Sequence, residues 1–75
     1  MDTHGRHLLI CMDNSGYEAS LERLKLYVSL PDETADHRGL VRVIDESGED
    51  YLYSKERFLA ADLGEATHRR VLEAA

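Results

Sequence analysis

Leu40-Val41-Arg42-Val43-Ile44-Asp45-Glu46-Ser47-Gly48-Glu49-Asp50-Tyr51-Leu52-Tyr53 is the stretch that decides the fold. Leu40 to Ile44 is rich in β-branched residues and gives the strongest strand signal in the chain. Asp45 to Asp50 turns, and Tyr51-Leu52-Tyr53 continues as a second strand. Gly48 supplies the left-handed position that a short hairpin loop with a bulge requires. Tyr51 and Tyr53 share one face and Leu52 takes the other, so either the pair or the leucine points inward.

The chain upstream of this hairpin reads as two further strands and two loops. Lys25 to Leu30 alternates, with Leu26, Val28 and Leu30 on one face and Lys25, Tyr27 and Ser29 on the other, the pattern of a half-buried strand. Pro31 stops it, because proline gives the ladder no donor. Asp32 to Gly39 is a polar loop with room for one helical turn, started by Asp32 and ended by Gly39. Leu8 to Met12 is a short apolar run closed by Asp13-Asn14-Ser15-Gly16, a strand stopped by turn chemistry. Between these two strands, Tyr17 to Leu24 carries Leu21 and Leu24 at helical spacing. It is too short to hold a helix unaided, and the expectation is a long loop with a short extended stretch.

Downstream, Ser54 to Arg57 reads as one tight helical turn and Phe58 to Ala61 as a short last strand. Gly64 breaks the pattern. Glu65 to Ala75 is made of good helix formers but is marginal without packing, so a frayed or loosely docked helix is expected. Leu63, Ala66, Val71 and Leu72 are its apolar contacts. The tail packs on the sheet, folds on a partner, or frays.

Five short strands and no long amphipathic helix point to an all-β class: a small five-stranded barrel, closed or nearly so. The expected layout is a flexible lead-in at 1–6, the barrel at 7–62 and the tail at 63–75. With 75 residues the chain is one domain at most. Its net charge of −6 argues against nucleic acid and against an anionic membrane surface as partners. Cys11 is the only cysteine, which excludes an intrachain disulfide. The apolar stretch near the N-terminus is too short for a signal-peptide core or a membrane span, and a cytoplasmic address is expected by default.

The stretch Gly48, then Tyr51-Leu52-Tyr53-Ser54-Lys55-Glu56-Arg57-Phe58-Leu59, resembles the end of an SH3 domain. There a strand runs into a one-turn 3₁₀ helix and then an aromatic residue opens the last strand. Ala19-Ser20-Leu21-Glu22 followed by Lys25-Leu26-Tyr27-Val28 resembles the loop leading into the second SH3 strand. The resemblance spans roughly residues 7–62 and implies an SH3-like barrel. In addition, Arg42 to Tyr51 resembles a stretch found in a set of small bacterial proteins with no assigned activity. In SH3 domains that bind proline-rich peptides, aromatic side chains line a shallow groove. Tyr17, Tyr53 and Phe58 are the nearest matches by position. The groove tryptophan of that family is missing, since the chain has no Trp, and its place near Leu40-Val41 is aliphatic. The resemblance therefore carries the shape but not the proline-rich ligand.

The tyrosines Tyr17, Tyr27, Tyr51 and Tyr53 are the main candidates for a contact surface, being large, stiff and polar at one end. The alternative is that strands favour tyrosine and some of these lie against the core. The acidic hairpin Asp45, Glu46, Glu49 and Asp50 lacks the order of oxygens a calcium loop needs and reads as a solvated turn. Cys11 sits among Leu9, Ile10 and Met12 and reads as an ordinary buried thiol. His4 and His7 offer two metal ligands where a closed zinc site wants four, and His37 and His68 form no catalytic arrangement. No G-x-S-x-G elbow and no glycine-rich phosphate loop occurs. The expected function is a non-enzymatic protein- or peptide-interaction module with no catalytic residue, metal or cofactor. Its binding surface would use Tyr17, Tyr53 and Phe58, with Tyr27 or Tyr51. The alternative is a self-associating structural or accessory subunit, a weak homodimer, because association adds burial to a small core.

Overall fold

The computed structural model describes residues 6–61 and 65–74, the side chains of Glu65, Ala66 and His68 excepted. In chain order the elements are β1 (His7–Cys11), β2 (Leu26–Leu30), α1 (Glu33–His37), β3 (Leu40–Ile44) and β4 (Asp50–Ser54). A 3₁₀ turn (Lys55–Arg57), β5 (Phe58–Ala60) and α2 (Glu65–Ala74) follow. The strands form one antiparallel sheet in the order β4-β3-β2-β1-β5, curled into a half-barrel. This all-β architecture is compatible with an SH3-like barrel.

Local chemistry explains the element boundaries. The hairpin closes where Asp45 N–H donates to the Glu49 carbonyl (3.1 Å) and Gly48 N–H to the Asp45 carbonyl (2.9 Å), with Gly48 at φ +84°. Asp32 caps α1 by accepting from Ala35 N–H at 2.9 Å, and Gly39 leaves the helix at φ +72°. Ser54 caps the 3₁₀ turn by accepting from Glu56 N–H at 3.3 Å. Asp32 and Gly39 bound α1 as expected, whereas Ser54, expected inside the turn, ends β4 and caps it.

The core lies inside the curl: Cys11, Leu21, Tyr27, Val43, Tyr53 and Phe58, with Leu9 and Val41 packed against it. Here β2 departs from the expectation. Its apolar face, Leu26, Val28 and Leu30, is the outer one, and Leu26 is 39% exposed. Tyr27 and Ser29 turn inward instead. The reason lies in the neighbouring strands. Leu8 pairs with Val28 and Val28 with Ile44, while Ile10 pairs with both Leu26 and Leu59. The outer face therefore carries its own apolar rows, and α2 packs on β1 there. Leu8 and Leu72 are both buried. The helix is formed over Glu65–Ala74 and docked through Leu72, not frayed. The expected contacts of Leu63 and Ala66, the break at Gly64 and the lead-in at 1–5 lie outside the described residues.

The segment between β1 and β2 is a chain of turns with no extended stretch. Leu21 anchors it, fully buried in the core. Asn14 Nδ2 donates to the Leu21 carbonyl at 3.0 Å, and Leu24, at φ +67°, donates its N–H to the Cys11 carbonyl at 2.6 Å.

Replacing Leu21 with alanine should lower the unfolding free energy by about 2–4 kcal/mol, whereas Leu26→Ala should cost under about 1 kcal/mol. Urea unfolding of both variants checks this. Equal losses would mean that the outer face carries as much of the fold as the core.

Candidate functional site

Two loops and a strand build a shallow groove of about 300 Å³ lined by Tyr17, Ser20, Asp45, Ser47 and Tyr51 to Tyr53. One wall is the loop after β1 and the other is β4 with its hairpin tip. At its base, Tyr53 is buried and its hydroxyl donates to Asp45 Oδ2 at 2.7 Å. Asp45 is itself buried, and its other oxygen accepts from the Ser47 N–H (2.9 Å) and hydroxyl (2.5 Å). Burial alone pushes the Asp45 carboxyl up. The hydrogen bonds from Ser47 and Tyr53 more than offset that and hold it below its ordinary value. Burial first, and then the bond to Asp45, pushes the Tyr53 hydroxyl up to about 12.

A second tyrosine–carboxylate pair ties the same hairpin tip to the loop. The Tyr27 hydroxyl donates to Glu46 Oε2 at 2.5 Å and accepts from Glu22 N–H at 2.7 Å. Lys25 Nζ reaches the same Glu46 oxygen at 2.6 Å, and Glu46 N–H donates to the Ser20 carbonyl at 3.0 Å. The bonds from Lys25 and then Tyr27 hold the Glu46 carboxyl below its ordinary value. Burial and the Glu46 bond push the Tyr27 hydroxyl well up.

The aromatic residues singled out in the sequence divide into two sets. Tyr17, Tyr53 and Phe58 form a continuous ladder: Tyr17 meets Tyr53 edge-on at 5.1 Å and Tyr53 meets Phe58 at 6.1 Å. Within it only Tyr17 is open to solvent, at 44%, and the Arg57 guanidinium stands 4.7 Å over its ring. Tyr27, Tyr53 and Phe58 are core residues with little surface to offer. Tyr51 is 49% exposed across the groove, and its hydroxyl donates to Glu49 at 3.1 Å. The accessible pair is thus Tyr17 and Tyr51, with Leu52 beside them.

The chain matches no protein-family model, no curated protein and no solved structure. The site is therefore read from its own chemistry. Cys11 is fully buried, and burial pushes its thiol up, away from a reactive thiolate. Among the described residues no group of three or more His, Cys, Asp or Glu is placed to hold a metal ion, and His4 lies outside them. Among the same residues no helix is long and apolar enough to cross a membrane. The acidic hairpin differs from a solvated turn: Asp45 is structural, Glu46 binds the loop, and Asp50 pairs with Arg42 at 2.9 Å. Asp45-Glu46-Ser47-Gly48 held the signal for this, since Asp two residues before Ser is the arrangement that bonds its own turn.

Tyr53→Phe deletes one donor and leaves a buried carboxylate oxygen unpaired, at a cost of roughly 1–3 kcal/mol. The pH dependence follows from the shifts. Asp45 and Glu46 titrate lower folded than unfolded, so their stabilisation is present above the ordinary carboxylate range and lost as pH falls through the folded values. Tyr53 titrates higher folded than unfolded, so its share is complete below pH 10 and lost as pH rises towards about 12. Denaturation across pH should show a neutral plateau, with the gap between wild type and Tyr53→Phe closing at both ends. A gap that stays constant would contradict the assignment.

Proposed function

We propose that this chain is a non-enzymatic interaction module that takes a protein or peptide segment in the groove between the loop after β1 and β4. The observation carrying this reading is the arrangement of Tyr17 and Tyr51, both half exposed, on opposite walls of a groove whose base is the fixed Tyr53–Asp45 pair. Two stiff amphipathic rings over a rigid base lose little entropy on binding, which suits a contact surface. The groove is small, so binding would be shallow and modest. The SH3-like reading supports an aromatic groove, and of its nearest matches Tyr17 and Tyr53 line this one. The missing tryptophan removes the argument for a proline-rich ligand. The Cys11 thiol is buried and burial pushes it up, away from a thiolate, which supports a non-catalytic role. A second reading, a self-associating subunit, is supported by the edge of β4, which among the described residues pairs with β3 alone.

Selection of displayed peptides on the purified chain, followed by amide chemical-shift mapping, tests the first reading. The bound peptide should shift Tyr17, Ser47, Tyr51 and Leu52, and Tyr17→Ala should weaken it by about tenfold, on the order of 1.4 kcal/mol, without loss of fold. A folded Tyr17→Ala with full affinity, or shifts confined to another face, would sink the proposal.

A further inference from the structure

The sheet has two rims, and they are protected differently. On one side β5 is only three residues long, and a strand this short offers little to pair with. On the other, β4 is a regular five-residue strand, Asp50-Tyr51-Leu52-Tyr53-Ser54. It contains no proline, no lysine and no bulge, the usual devices that keep an edge from pairing. Its one charge, Asp50, is engaged by Arg42 of the neighbouring strand.

The register says which backbone groups of β4 are free. Asp45 and Glu49 form the hydrogen-bonded pair that closes the hairpin, and Lys55 N–H donates to the Gly39 carbonyl at 3.0 Å at the other end. Alternation between these fixes the pairs Val43–Tyr51 and Val41–Tyr53 as hydrogen-bonded, and the pairs at Asp50, Leu52 and Ser54 as not. The N–H and C=O of Asp50, Leu52 and Ser54 therefore point away from β3. The Ser54 carbonyl opens the 3₁₀ turn at Lys55–Arg57 and is engaged there, while among the described residues no backbone hydrogen bond outside the ladder involves the other five groups.

We propose that the free edge of β4 pairs with itself: two copies of the chain join antiparallel along Asp50–Ser54 about a two-fold axis at Leu52, extending one sheet across both. The strand is close to self-complementary under this operation. Leu52 of one copy meets Leu52 of the other, Tyr51 meets Tyr53, and Asp50 meets Ser54. No like charges stand directly opposite each other, which a strand pair requires. The outward groups are also in phase: Leu52 meets Leu52 as a doubly bonded pair, and Ser54 N–H meets Asp50 C=O on either side, for up to about four bonds. Leu52, 42% exposed, gains cover at the axis. Isologous pairing closes at two copies, so it makes a dimer and not a fibre. The inference rests on the second, self-associating reading and not on Tyr17, and it shares Tyr51 and Leu52 with the groove, so Tyr17→Ala tests peptide binding alone and leaves the dimer in place. A contact this small gives a dissociation constant on the order of 100 µM.

Sedimentation of the full chain from about 10 µM to about 1 mM tests the proposal, together with amide exchange at both ends of the range. A monomer–dimer equilibrium is expected, with the amides of Asp50, Leu52 and Ser54 gaining protection as concentration rises. Leu52→Pro removes an outward N–H without touching the β3–β4 ladder and should leave a folded monomer. Should proline perturb the strand, Leu52→Lys places like charges across the axis and should weaken dimerisation at least about tenfold with the fold retained. A monomer throughout the range overturns the proposal. A dimer unaffected by Leu52→Lys also overturns it, as does one whose protection appears on the outer face at Ile10, Leu26 and Leu59.

Discussion

Everything on the groove side of this molecule depends on two tyrosine hydroxyls bound to two adjacent carboxylates. The loop between β1 and β2 has no ladder of its own to fix it. Leu21 supplies its apolar anchor, and Tyr27–Glu46 supplies its polar one. Tyr53–Asp45 then holds the hairpin tip against the rings of Tyr17 and Phe58. In a low-dielectric core such bonds are stronger than in water, and leaving one partner unpaired is correspondingly costly. Asp45 and Glu46 are neighbours in sequence, so one hairpin tip engages two strands and a loop. Loss of that tip would release the groove wall and the floor together.

Much of the fold was legible because its punctuation is local. Asp32, Gly39, Gly48 and Ser54 each act within a few residues of themselves, so their roles follow from the sequence around them. The hairpin from Leu40 to Tyr53, the turn at Lys55–Arg57, β5 and the C-terminal helix were all placed from such signals. What was not legible is which way a strand faces. Alternation in β2 groups Leu26 with Val28 and Leu30, but it does not say which group is inside when both faces are covered. That depends on β1, β3 and α2, which are distant in sequence. The candidate site divided for the same reason. Spacing could place Tyr27 and Tyr51 on strands, and only the assembled sheet sends one inward and leaves the other out.

The charge balance is also better understood from the structure. Arg42 bridges Asp32 and Asp50, Lys55 is held by Asp36, Lys25 by Glu46, and Arg57 by Asp13. Arg42 ties the cap of α1 to the sheet, and the other three join loops, turns or α1 to one another. They are partly exposed, so each pair adds modestly to stability. The formal charge of −6 follows from 9 basic against 15 acidic residues and is not altered by these pairs.

The outward-facing apolar side of β2 has a consequence for folding specificity. A strand with one greasy and one polar face is kept in register by hydrophobicity alone, because a slip of one residue would expose the greasy set. β2 lacks that safeguard: sliding by one position would put Leu26 and Val28 inside, which the solvent would not resist. What resists is geometry at a single atom. Only in the native register does the Tyr27 oxygen meet both Glu46 and the Glu22 amide. The buried hydroxyl thus serves as an alignment key, distinguishing one packing of the sheet from a near-equal alternative that oil-and-water patterning cannot tell apart.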